Sequence, residues 1–398
     1  MKRFQAIAAA VILNTIPVCV HAQKDNGSGL SDVLLQHIKS EWTQIPAVPE
    51  DTVRICIVGD VMLHSAQIEN CFRRHAASSP GADPAESGSY DFSPYFREIR
   101  DMLRESDISI ANMEFTLAGP PFSGYPAFCA PDSYAGYVAG CGVDVFLTAN
   151  NHILDKGTSG ALRTLEIYDR MAGQGIYNTG CFADSTSLAN GYPLIISAGG
   201  LRIALVNFTY GTNVPPADTF PYVCDMDREA IARAMKTARE NADIIIALPH
   251  WGTEYALKHS ESQERMAEFL VRCGADAVIG SHPHVVQDTG YIKALNGDRI
   301  PVVYSLGNLI SNMSAANTQI GLAVTLPVIR YSDGQARTGE PEYTFTWCSL
   351  PGDLGESHMT IPVREYIGRK EKWTDPTDYD KMISTYRNIL DTSGIQDR

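Results

Sequence analysis

The side chains able to do chemistry fall in short clusters, each directly after an apolar run. Ile55-Cys56-Ile57-Val58 leads into Gly59-Asp60, Ile108 to Ala111 into Asn112-Met113-Glu114, and Val145 to Ala149 into Asn150-Asn151-His152, with Asp155 just beyond. Ile244 to Leu248 leads into Pro249-His250-Trp251-Gly252, Ala277 to Ile279 into Gly280-Ser281-His282-Pro283-His284, and Val302 to Leu306 into Gly307-Asn308. A lone Gly-Asp after a strand is ordinarily a turn, and a single histidine is ordinarily a packed side chain. Four of the ten histidines (His152, His250, His282, His284) standing after predicted strands is a pattern that random scatter seldom produces. His282 and His284, one residue apart, would project to one side of an extended chain and grip one cation or two adjacent ones. Asp60, Glu114, Asn151, His250, His282 and His284 supply carboxylate, amide and imidazole donors without thiolate, a set that suits Mn, Zn or Fe. These donors exceed one tetrahedral site, so two divalent metal ions about 3.5–4 Å apart, bridged by a carboxylate and activating water for an in-line displacement, are expected. His152, with Asp155 nearby, is left to act as general acid or to neutralise a developing oxyanion.

Such a site needs elements that bring distant residues together. The apolar runs, rich in Val and Ile, alternate with segments of helical period at Pro94 to Glu105, Ser159 to Gly173, Arg228 to Asn241 and Ser260 to Cys273. That alternation predicts an α/β fold on a largely parallel sheet, whose strand carboxyl ends form the ligand crevice. Pro193 to Phe208, with Gly199-Gly200 between apolar runs, reads as a β-hairpin. Further antiparallel strands are expected near Gly321 to Tyr331 and Tyr343 to Leu350, and a polar helix within Lys370 to Arg398.

The clusters around Asp60, Asn112-Met113-Glu114, Asn150 to Gly157, His250 to Tyr255, Gly280 to Gln287 and Tyr304 to Asn308 resemble, in order, the motifs of the CapA family of poly-γ-glutamate capsule biosynthesis proteins. That family belongs to the calcineurin-like metallophosphoesterase superfamily. The resemblance implies a four-layered α/β/β/α sandwich with a dimetal site at the strand ends and a small C-terminal extension. It implies Asp60 and His284 on a first metal, Glu114 as the bridge, Asn151, His250 and His282 on a second, and His152 as the catalytic histidine. The superfamily's first motif is Asp-x-His; here its third residue is Met62, with His64 two residues further on. The implied function is a metal-dependent hydrolase of cell-envelope polymer synthesis, its partners an anionic polymer or a small phosphate or amide substrate and other envelope-assembly components. A phosphoesterase acting on a small phosphate ester and a non-catalytic assembly component are the other readings.

Composition narrows the setting. A net charge of −14 and a pI near 5.1 exclude a nucleic-acid binder working through bulk positive charge. Lys2-Arg3, the apolar run Ala6 to Leu13 and the close Val20-His21-Ala22 read as a signal peptide over residues 1–22, so the mature chain is expected to be exported, periplasmic or cell-envelope/extracellular. That run, broken by Asn14 and Pro17, falls short of the roughly 20 residues of a membrane span. Residues 23–52 read as a leader, 53–330 as the metallophosphoesterase-like domain and 331–398 as a C-terminal extension of strands and a terminal helix. Eight cysteines then remain, an even number that permits disulfides, with Cys71, Cys129, Cys181 and Cys224 the better placed and Cys56 and Cys273 expected as buried thiols.

Overall fold

In the strand Ile108–Met113, Ile108 and Ile110 face one way while Ala111 and Met113 face the other, and both sets are buried. A strand apolar on both faces must lie inside a layered fold. The computed structural model describes residues 47–395 and shows the layers directly. The signal peptide expected over residues 1–22 and most of the leader lie outside the described residues.

A nine-stranded sheet runs β17-β16-β14-β1-β2-β3-β4, with β13 paired to β1 and β15 to β14 off this path. In it β1 (Pro49–Val61), β2 (Ile108–Met113), β3 (Val145–Leu147) and β4 (Tyr177–Thr179) are mutually parallel. The remaining strands are β13 (Asn308–Ile310), β14 (Ile320–Tyr331), β15 (Ala336–Thr338), β16 (Glu342–Ser349) and β17 (Met359–Pro362). β14 pairs antiparallel to β1 and to β16. The second sheet has six strands in the order β11-β12-β10-β9-β7-β6. Its parallel centre is β7 (Leu201–Thr209), β9 (Ile244–His250), β10 (Ala277–Ile279) and β12 (Arg299–Val303), with β6 (Leu194–Ala198) and β11 (Thr289–Lys293) as antiparallel edges. A ribbon of β5 (Cys181–Phe182) and β8 (Tyr222–Val223) lies apart from both.

One core cluster joins Ile55, Ile57 and Ile110 of the first sheet to Leu205, Ile246 and Ile279 of the second. A second covers the outer face of the first sheet with α1 (Ser65–Ser78), α2 (Arg100–Arg104), α3 (Asp132–Gly140) and α4 (Gly157–Met171). A third covers the second sheet with α6 (Arg228–Asn241) and α7 (Glu261–Arg272), α5 (Ser185–Gly191) lying beside the ribbon. The layers are therefore α/β/β/α, and each sheet is mixed where one largely parallel sheet was expected from the strand pattern. The chain closes with α8 (Val363–Tyr366) and α9 (Pro376–Ser393), whose Tyr386 packs edge-on to Phe345 at 5.3 Å.

Of the expected helix Pro94 to Glu105 only Arg100–Arg104 is helical; Phe92, Tyr95 and Phe96 are drawn into an aromatic cluster with Tyr134 and Tyr137, and the chain there runs in turns. All eight described cysteines are free thiols, every one buried except the half-buried Cys273, so none of the cysteines placed near loops is bridged. Among the described residues, no helix is long and apolar enough to cross a membrane.

Candidate metal centre

The period of two along each strand aims the polar residues. On β2, Ile108 and Ile110 fill the space between the sheets; Asn112 and Glu114 continue that face past the apolar core. On β9, Ile244, Ile246 and Leu248 do the same and His250 follows. Asp60 has the wrong parity: Cys56 and Val58 face the helices. A register shift between Val58 and Asp60 corrects this, setting Asp60 opposite Asn112. The extra residue is Gly59, where a Cβ would fall 1.9 Å from the Gly307 carbonyl oxygen, so only glycine fits. On β7, Asn207 joins the sheets beneath the site: its Oδ1 accepts from the Ala149 N–H at 2.9 Å and its Nδ2 donates to the Leu248 carbonyl at 2.8 Å.

Asp60, Glu114, Asn151, His250, His282 and His284 therefore meet at one place, and all are buried. Two groups of donors lie with their ligand atoms within 4.8 Å of one another, Asp60-Glu114-His250 and Glu114-His282-His284, and Glu114 belongs to both. Glu114 Oε1 is buried without a hydrogen-bond partner, yet the Nε2 atoms of His152, His250 and His284 each stand 3.9 Å from it. That is too long for hydrogen bonds, while two atoms each about 2.1 Å from one ion can be up to about 4.2 Å apart. His282 Nδ1 is likewise buried and unpartnered. Orphaned donors and acceptors facing a common space fit a cation pair.

Neighbouring groups hold this set in place. Asn112 Nδ2 donates to Asp60 Oδ1 at 2.7 Å and lies 3.3 Å from Glu114 Oε2. His250 Nδ1 meets the Ser281 hydroxyl at 3.0 Å, and its Nε2 lies 2.9 Å from Asn151 Oδ1. Asn308 Oδ1 accepts from His284 Nδ1 at 3.0 Å. His282 and His284 converge through left-handed backbone (φ 101° and 58°), not through extended chain, a strained arrangement typical of functional sites.

Protonation follows from this crowding. Burial, then the charge of and hydrogen bond with Asp60, hold the Glu114 carboxyl well above its usual range. Burial and the facing imidazoles push His250 far down, and His282 falls to about 3 for the same reasons. For His284 burial is outweighed by the hydrogen bond and charge of Asp60, and its value rises.

His152 sits beside this set. Its Nδ1 lies 2.6 Å from Asp155 Oδ2, which also accepts the Phe128 N–H at 2.7 Å. With Nδ1 donating to Asp155, Nε2 is turned towards the centre. Phe128 packs edge-on to the imidazole at 4.7 Å. Met62 is buried on the helix side, away from the donors. His64 is the N-cap of α1; its Nδ1 accepts the Asn312 N–H at 3.2 Å, and burial lowers it to about 4.

Sequence reading placed Asn112 and Ser281 in its clusters without giving them a role, and did not single out Asn207 or Tyr210. Tyr210 directly follows β7 and its ring lies 4.5 Å from that of His282. For Asn112, Asn207 and Ser281 the signal was a polar residue continuing an inward-facing apolar series; Tyr210 has the opposite parity and gave no such signal.

The fold and the donor set define an α/β/β/α sandwich with a buried carboxylate–imidazole centre where the two sheets' strand ends meet. Residues 54–313 match the family described as bacterial capsule synthesis protein PGA_cap, and the chain belongs to that family. It is 25% identical over 236 residues to the capsule biosynthesis protein CapA of Bacillus anthracis, covering 56% of this chain and 55% of that one. It is 30% identical over 179 residues to the PGA biosynthesis protein CapA of Bacillus subtilis (strain 168), covering 44% of each. The chain thus spans about half the length of the relatives it matches. The NAD nucleotidase of Haemophilus influenzae aligns in structure with a TM-score of 0.45 at 14% identity, covering 87% of this chain and 68% of that one.

Proposed function

We propose that this chain is an exported, metal-dependent hydrolase of capsule or envelope polymer synthesis, with a dinuclear centre acting on a polymer of the poly-γ-glutamate type. The observation that carries the reading is the unpartnered Glu114 Oε1 ringed by three imidazole nitrogens at 3.9 Å. Asp60 and His250 would complete one site with Glu114, His282 and His284 the other, which exchanges His250 and His284 relative to the partition the resemblance implies, and Asn151 would add a neutral oxygen. When bound, two divalent ions supply Lewis acidity and an activated water.

The protein's own residues do the rest. Asp155 fixes the His152 ring through Nδ1, so that Nε2 is presented towards the reacting group and can hand a proton to the departing oxygen or nitrogen. Phe128 fixes Asp155 through its N–H and shields the imidazole from water. Asn112 and Asn308 hold the Asp60 carboxylate and the His284 ring, so little reorganisation is needed as charge develops.

The test is metal content of the purified protein by mass spectrometry, alongside hydrolysis of a generic phosphodiester and of a γ-glutamyl amide. Two equivalents of Mn, Zn or Fe are expected, falling by at least one in Glu114→Gln. His152→Ala should keep the metal and lose about 10²–10⁴-fold in rate on whichever substrate is cleaved. A wild-type protein that takes up no metal overturns the reading, and cleavage of the phosphodiester alone would make it a phosphoesterase.

A further inference from the structure

A cavity of about 660 Å³ opens along α1, outside the donor set of the metal centre. Its walls are Ile68 and Phe72 of α1, Tyr90 and Phe122, with Ser65 and Glu69 at its polar edge. The aromatic walls brace one another: Tyr90 lies 5.7 Å from Phe72 and 5.5 Å from Phe122, the latter at 85°. The Tyr90 hydroxyl donates to the Pro84 carbonyl at 2.7 Å, so it is engaged within the protein and the ring offers an apolar face. The size and lining are those of small-molecule sites, which span about 300–1,000 Å³ and are mostly apolar with few polar groups.

Position ties the cavity to the centre. Ser65 follows His64, whose ring packs edge-on to Phe128 at 5.1 Å, and Phe128 in turn packs on His152. The loop leaving Glu114 serves both places, since Phe122 walls the cavity while Phe128 fixes Asp155. Gly124 donates to Ser65 Oγ at 3.2 Å, joining that loop to the start of α1.

The apolar walls select the occupant, because a carboxylate set against them without a partner is costly, and Glu69, the charged group in the lining, is exposed and stands 3.9 Å from Arg73. We propose that this cavity is a subsite for a neutral apolar group, an aromatic ring or a branched acyl chain, carried by a substrate whose reacting bond lies at the metal centre. The subsite deepens the hydrolase reading and rests on it for the link to the centre, but not for binding itself. An anionic glutamate polymer would then be engaged away from this cavity, or through an uncharged end group.

The experiment uses the purified protein, loaded with metal or stripped by EDTA. By fluorescence titration, 2-naphthol should bind both forms equally and at least about tenfold more tightly than 2-naphthoate. Ala85→Trp, which fills the cavity from an exposed lining position, should abolish naphthol binding with metal content unchanged. Glu69→Gln should leave most of the preference against naphthoate in place, since the apolar walls supply it. On the metal-loaded form, 1-naphthyl phosphate should bind at least about tenfold more tightly than methyl phosphate, and Ala85→Trp should erase that gain alone. Naphthol binding unaffected by Ala85→Trp, or no binding at all, overturns the proposal. Naphthol binding without any naphthyl phosphate advantage overturns the link to the centre. A wild-type protein that takes up no metal when offered it, yet binds naphthol in the cavity, would sink the hydrolase reading and leave an apolar ligand site in its place.

Discussion

At the residue scale the centre is a problem of protons as much as of geometry. Glu114 is held above the usual carboxylate range and His284 above the usual imidazole range, whereas His250 and His282 are already neutral. Ligands must be deprotonated to bind, so in the proposed centre metal uptake would expel protons from Glu114 and His284. Affinity should therefore rise with pH through the acid and neutral range. Calorimetric titration of the stripped protein with Zn²⁺ in buffers of different ionisation heat should show net proton release, and Glu114→Gln should diminish it. Binding that is independent of pH would mean that Glu114 does not ligate. The candidate donors were legible because so many carboxylates and imidazoles standing directly after apolar runs in one chain is rare. Asn112 and Ser281 stood in the same clusters but were given no role, because amides and hydroxyls after strands are common and only their contacts reveal their work.

At the element scale, the strand ends were readable and the helices less so. β10 and α6 fall where their patterns place them, and the hairpin of β6 and β7 forms around Gly199-Gly200. α1 was missed because its buried face is made of Gln67, Asn70 and Cys71 and carries no apolar stripe. The Gly59 bulge was invisible too, since a register shift is a property of pairing and not of one strand. Gly59→Ala should force Asp60 or Gly307 to move; the expected result is a loss of several kcal/mol in stability, or weakened metal binding, by denaturant titration and metal analysis. Asn207→Ala would leave the Ala149 N–H and the Leu248 carbonyl unpaired between the sheets. A loss of about 1–3 kcal/mol is expected from urea unfolding, with the metal-binding residues themselves unaltered.

At the scale of the whole molecule, the layers depend on chain far from the motifs. Phe345, Trp347, Met359 and Ile361, all beyond Tyr331, fill the core between the sheets, and α9 closes over Phe345. Near the start of α9, burial and then the Asp378 charge push the Asp353 carboxyl up to about 6. A carboxyl raised on folding stabilises the fold fully below its unfolded value of about 3.9 and loses that contribution as pH rises through about 6. Asp353→Asn should thus stabilise the protein at pH 7 by about 1–2 kcal/mol, allowing for partial solvent contact, and make no difference at pH 3.5. Thermal melts at the two pH values check this. The packing also equips the molecule with its own sensor of opening. Seven of its eight described sulfhydryls are sealed inside, and only Cys273 meets solvent. A thiol-modifying reagent would thus mark one of these eight positions on the folded protein, and each additional mark among them would time and map the loosening of a particular layer.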